Sequence, residues 1–140
     1  MDALTVLTGL GLLAIRLGLG VELLVHGWPK LKNPAGTAGF MGQMGMKPAK
    51  FWAWILALVE FLGGIGLLLG LLTRPAAFFV AIEFLLIVVY FKPQKMKVPF
   101  TTPQGQAGWE WDWLILMMAI GLVLAGSGIF GLDSVLRLPI

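Results

Sequence analysis

The chain contains no cysteine. That excludes a disulfide framework, a thiol redox pair, thiolate-bound zinc or iron–sulfur clusters, and a sulfur nucleophile. Charge is scarce too, at 12% of residues, about half the usual share in a soluble domain. With a single histidine and spans poor in serine and threonine, no Ser-His-Asp set is suggested. No basic tract or RNA-binding motif accompanies the formal charge of +3, so nucleic acid is not an expected partner. The glycines fall in hydrophobic helices rather than in a phosphate-cradling loop. No basic segment or small-residue cleavage site flanks the first apolar run, which is therefore expected to be a retained helix.

What is present is hydrophobic sequence. Of the 140 residues, 59% are hydrophobic, and the mean hydropathy is +0.91. One soluble core of this size cannot hide so much apolar surface, so the lipid bilayer is the expected solvent. The pattern predicts an all-α membrane protein of one domain. It would be an antiparallel, up-down bundle of four transmembrane helices, over about residues 4–25, 51–72, 75–91 and 113–132. Pro29 and Pro34 argue against a long continuous helix after the first span. Residues 38–46 are expected to lie along the membrane interface. Thr73-Arg74-Pro75 reads as a tight corner, which would make the second and third spans neighbours. Asp112 is expected to cap the last helix or sit in its first turn. All seven lysines fall between spans one and two or between three and four. The positive-inside rule then puts the long loops in the cytoplasm and both termini outside, in the cell inner membrane.

Three ionisable residues interrupt the apolar spans. Arg16, Glu60 and Glu83 each lie near the middle of a different helix, where charges tend to face inward and pair. Tyr90 shares a helical face with Glu83. If all three groups were ionised the centre would be net negative, so Glu83 is expected to carry a proton or to be balanced by a ligand. Three readings fit. The residues fix helix register; they line a pocket for a lipophile and exchange protons; or they mark a path for protons or solute. A second cluster, at the interface, comprises Glu22, His26, Glu110 and Asp112. Imidazole and carboxylates of this kind can hold iron, zinc or manganese. A lone histidine at a membrane boundary is more commonly a hydrogen-bonding residue, and no metal is expected.

Taken in order, these residues resemble the DoxX family of small four-helix membrane proteins. The resemblance rests on Arg16-Leu17-Gly18, His26-Gly27-Trp28-Pro29-Lys30-Leu31, Glu60-Phe61-Leu62-Gly63-Gly64 and Gly70-Leu71-Leu72-Thr73-Arg74. Gly108-Trp109-Glu110 and Gly126-x-Gly128 before Leu132-Asp133 extend it to nearly the whole chain. It implies an integral membrane protein in a family where some members are subunits of a thiosulfate:quinone oxidoreductase. Others are linked to oxidative-stress protection and sulfur metabolism beside soluble partner enzymes. The expected function is thus a redox-associated subunit that binds a quinone-like lipophile, as a homo-oligomer or within a larger complex, with a soluble redox partner. The rival is a non-catalytic membrane anchor. A small transporter is disfavoured, because four short helices enclose little volume.

Overall fold

A computed structural model of the protein describes residues 2–102 and 108–139. Helix α1 (Ala3–Lys32) starts at Asp2, whose side chain accepts from Thr5 N at 2.9 Å. It is longer than the expected 4–25 and passes through Pro29. The chain turns only at Asn33, whose side chain accepts from Gly36 N and caps α2 (Pro34–Gln43). Pro34 is what stops α1, because a proline fits the first turn of a new helix. Pro29 removes one helical bond, but the turns around it are held by α3 (Ala49–Leu69). A side chain at Gly27 would collide with the backbone N of Phe61, 2.7 Å away. Trp28 stacks on Phe61 at 5.6 Å between ring centroids.

Glycines set how closely α1 and α3 approach. A Cβ on Gly20 would lie 3.0 Å from the Gly64 carbonyl, and one on Gly64 would lie 2.9 Å from the Gly20 carbonyl. Small residues permit this backbone contact, which is the main source of helix association in lipid. Ala53, Ala57, Glu60 and Gly64, which recur at helical spacing along one face of α3, are all buried.

The corner after α3 lies one turn earlier than expected. Gly70, with φ 64°, and Leu72, with φ 52°, are both left-handed, and Thr73 already belongs to α4 (Thr73–Leu86). The cap comes from far along the chain. Asp133 accepts from Leu72 N at 2.7 Å and from Thr73 N at 2.9 Å, while its own N–H donates to Gly70 O at 2.8 Å.

Helix α4 continues without a break into a π-helical segment, Ile87–Lys95, which contains Pro93. The third span therefore extends past the expected boundary at residue 91. The last expected span, 113–132, is helical only in α5 (Glu110–Ala125). Gly126 and Gly128 take φ values of 78° and 69°, ending the helix before a short α6 (Leu132–Val135). Glu110 and Asp112 occupy the first turn of α5, where carboxylates are favoured. Among the described residues there is no strand. Among the described residues three helical stretches, Ala3–Lys32, Ala49–Leu69 and Thr73–Lys95, are long and apolar enough to cross a membrane. The core is apolar (Leu19, Leu67, Val80, Leu116 and Leu122), and so is much of the outside, including Leu4, Leu62 and Leu124. Such an exterior suits hydrocarbon as the solvent.

Removing the distant cap is expected to destabilise the protein by about 1–2 kcal/mol, the usual worth of such a cap. Asp133→Ala should therefore melt earlier in detergent, with Asp133→Asn in between. Gly70→Ala should do more harm, because its Cβ would sit 2.6 Å from the Arg16 guanidinium. Unchanged melting of Asp133→Ala would count against the cap.

Candidate functional site

The register of α1 on α3 separates Arg16 from the two intramembrane glutamates. Gly27 lies against Glu60 and Phe61, so Arg16 is about 16 Å further along the axis at 1.5 Å per residue. There it is 1% exposed. Its Nε donates to Leu67 O at 3.0 Å, its Nη2 to Leu68 O at 3.4 Å, and its Nη1 to Ser127 O at 2.6 Å. The last carbonyls of a helix have no partner within it, and a cation there also meets the negative end of the dipole. Arg16 is thus a tie between α1, the end of α3 and the segment after α5. It does not meet the glutamates.

The two glutamates do come together, with a lysine as their cation. Lys30 Nζ donates to Glu60 Oε1 at 2.5 Å, and the Glu60 side chain is 3% exposed. Glu83 on α4 lies within electrostatic reach of both Glu60 and Lys30. It is buried, and no N–H or hydroxyl donor reaches either of its oxygens or Glu60 Oε2, while the two carboxyls stand within hydrogen-bonding reach of each other and could share a proton. Buried polar atoms are normally satisfied, so a carboxyl that no such donor reaches calls for an explanation.

Glu83 and Lys30 line a cavity of about 820 Å³. Its walls come from the end of α1, from α2, α3 and α4, and from the π-helical segment. They are apolar, with Phe40, Ile55, Val59, Phe79, Ile82 and Phe91 among them. Besides the Lys30–Glu83 end there is one more charged position, where Lys92 donates to Asp112 Oδ2 at 2.5 Å and to Gly108 O at 3.1 Å.

The π-helix decides which residues of the third span reach this space. A wider turn shifts the side chains that follow it off the α-helical face. Val88 and Phe91 are buried, whereas Tyr90, expected on the Glu83 face, is exposed with Lys95 Nζ 5.4 Å from its ring centroid. Tyr90 is absent from the cavity wall.

The interfacial set resolves into separate partnerships. Glu22 Oε1 and His26 Nε2 pair with each other at 2.9 Å. Asp112 binds Lys92. Glu110 Oε1 accepts from Thr102 N at 3.0 Å and from Thr102 Oγ1 at 2.5 Å. Among the described residues no three His, Asp or Glu side chains gather as metal ligands do. Sequence reasoning passed over Lys30 and Lys92 because it placed both in loops. The available signal was the length of lysine, which can bury its stem and carry its ammonium more than a turn away.

Comparison with known proteins agrees on one family. The sequence model described as DoxX matches residues 11–93. A Bacillus subtilis (strain 168) protein named "Putative oxidoreductase CatD" is 33% identical over 124 residues, covering 89% of this chain and 85% of that protein. The "Inner membrane protein YqjF" of Escherichia coli (strain K12) is 36% identical over 75 residues, covering 54% of this chain and 56% of its own length. No solved structure matches.

The buried pair gives a clear expectation. Lys30→Met would strand Glu60 and should cost about 3–5 kcal/mol, whereas replacing both partners by apolar residues leaves no buried charge behind. Unfolding in mild detergent should therefore show Lys30→Met far below the native protein, and Lys30→Met/Glu60→Leu recovering most of the loss. Additive losses in the double variant would dissolve the pair as a unit.

Proposed function

The chain belongs to the DoxX family, and from that membership we propose that it is a redox-associated membrane protein whose cavity takes a quinone-like lipophile. The observation that carries this reading is the buried Glu83 carboxyl, beside Glu60 and reached by no N–H or hydroxyl donor, at the polar end of an apolar cavity of about 820 Å³. A cavity of that size, mostly apolar with a few convergent polar groups, suits a small organic ligand. A ring-bearing molecule with a polar oxygen would place its apolar body against Phe40, Phe79 and Phe91 and its oxygen between Lys30 and Glu83. The Lys30 ammonium is the donor there, and Glu83 is the group that accepts or returns a proton. One ammonium faces two carboxyls, so the site is electrically balanced when it holds one extra proton, a state matched to proton exchange. The chain supplies no thiol, and in this reading electrons come from a partner subunit or a soluble enzyme.

In the same reading α5 is the fourth span, and the four spans alternate in direction through the inner membrane. The lysine-bearing end, with Lys30, Lys92 and the cavity, faces the cytoplasm, and the end with Arg74 and Arg137 faces outward. Helix α5 is shorter than a full crossing at 16 residues, and the segment to α6 completes its side of the bundle.

The test is to extract lipophiles from protein purified in mild detergent and identify them by mass spectrometry. The native protein is expected to retain a quinone, and Glu83→Gln to lose it. Glu83→Leu should also lose the ligand yet melt later than the native protein, because it removes an unsatisfied buried carboxyl. That opposition of stability and binding is characteristic of a residue kept for function. Ordinary phospholipid alone in every sample would overturn the redox-pocket reading and leave a membrane anchor.

A further inference from the structure

At the end of the bundle opposite Lys30 lies a second cavity, polar where the first is apolar. It is an open cleft of about 370 Å³, bordered by Arg74 of α4 and by Ser127, Ser134 and Arg137 of the segment after α5. Both arginines are exposed. Among the described residues neither forms an ion pair with a carboxylate. Asp133 also borders the cleft, but it is buried, and both its oxygens accept from the backbone at the start of α4. Arg16 lies within electrostatic reach of Asp133 and offsets its charge. Arg74 and Arg137 are left to set the sign of the cleft.

The backbone holds both guanidinium groups at the cleft. A Cβ on Gly126 would lie 3.2 Å from Arg74 Nε, so the glycine leaves room for Arg74 to lie against the segment after α5. Arg74 Nη2 donates to Leu124 O at 3.2 Å, which leaves most of the five guanidinium N–H donors for a ligand. Arg137 is held in another way. Its N–H donates to Ser134 O at 3.3 Å, and that of Leu138 donates to Asp133 O at 2.9 Å. This pattern closes a helix through a left-handed residue, usually glycine. Arg137 takes that position with φ 53°, where an L side chain is strained, and strain of this kind points to function. The Ser127 and Ser134 hydroxyls both donate to Gly128 O, at 3.1 and 2.8 Å. They cover a carbonyl that an incoming anion would otherwise meet.

We propose that this cleft binds a phosphate group between Arg74 and Arg137, and that the group is the headgroup phosphate of an anionic phospholipid. The guanidinium fork matches phosphate oxygens in pairs. Depth and surroundings favour a lipid over the free anion. Helix α3 has 21 residues, about 30 Å of rise, which is enough to cross the hydrocarbon. The corner that carries Arg74 therefore stands at headgroup level. Leu124, Val135 and Leu136 each adjoin a cleft-lining residue in the chain and are exposed, and acyl chains would cover them. The positive cleft selects an anionic headgroup, because a zwitterionic one brings its own cation. The inference is independent of what the apolar cavity holds.

The test adds phosphatidylglycerol, phosphatidylcholine or inorganic phosphate to the full chain in detergent. Binding is read from the rise in melting temperature and counted by native mass spectrometry. Phosphatidylglycerol should bind about tenfold more tightly than phosphatidylcholine, the worth of one charged contact. Arg137→Gly should lose about the same factor, yet melt no earlier than the native protein without lipid, since glycine suits the left-handed position. A residue kept only for the fold would not show that opposition. Arg137→Lys should retain part of the binding. Lys50→Gln, exposed at the other end of α3, should bind as the native protein does. Inorganic phosphate acting as strongly as phosphatidylglycerol, and failing in Arg137→Gly, would keep the phosphate site and assign it to the free anion. With inorganic phosphate silent, phosphatidylglycerol bound no better than phosphatidylcholine would overturn the proposal. So would equal losses in Lys50→Gln and Arg137→Gly, which would mean general attraction to a basic protein.

Discussion

A helix that ends within or near hydrocarbon leaves carbonyls that nothing in the solvent can satisfy, and the rest of this structure depends on how that is solved at the end of α3. Arg16 meets two of those carbonyls and a third from the segment after α5. With Gly70 in a left-handed conformation and packed on the guanidinium, the corner leading into α4 has one geometry. Asp133 then caps the start of α4. One arginine and one aspartate thus join the beginning, middle and end of the chain at the same end of the bundle. The hairpin they lock brings Glu60 on α3 and Glu83 on α4 together at the other end.

That division of labour explains why three similar-looking charges act differently. Arg16 is surrounded by backbone carbonyls and is fully used. Glu60 is half used, with one oxygen on Lys30 and one free. Glu83 is reached by no N–H or hydroxyl donor, has only the Glu60 carboxyl beside it, and faces the cavity. The gradient runs from structural tie to available group. Desolvation opposes burial of a carboxyl in the last condition, and only a proton shared with Glu60 would offset it.

Periodicity made the inner faces legible. Ala53, Ala57, Glu60 and Gly64 recur as an α-helix requires, and they are buried. Gly9, Arg16 and Gly20 are likewise buried on α1, although Thr5 on the same face is exposed. What misled was local. Pro29 reads as a breaker, yet packing of Gly27 on α3 keeps the helix going, and this hid Lys30 as the partner of Glu60. Tyr90 was placed on the Glu83 face by extending a regular period through a stretch whose winding changes. Register between helices was illegible as well: Arg16 and Glu60 are each central in their own span, but α1 and α3 are offset, so they do not meet. Offsets of this kind are set by which glycines touch, and a single chain read residue by residue does not reveal that.

The sequence distances spanned by the Arg16 bonds have a consequence for how the protein is made. Its acceptors lie 51 and 111 residues downstream. During synthesis α1 must enter the membrane as a helix with an unmatched cation, before the carbonyls that neutralise it exist. The α3–α4 hairpin follows with its corner open until Asp133 has emerged. Until Ser127 and Asp133 have been made, Arg16 lacks one of its acceptors and the start of α4 lacks its cap, so the bundle closes only after its last helix is in place.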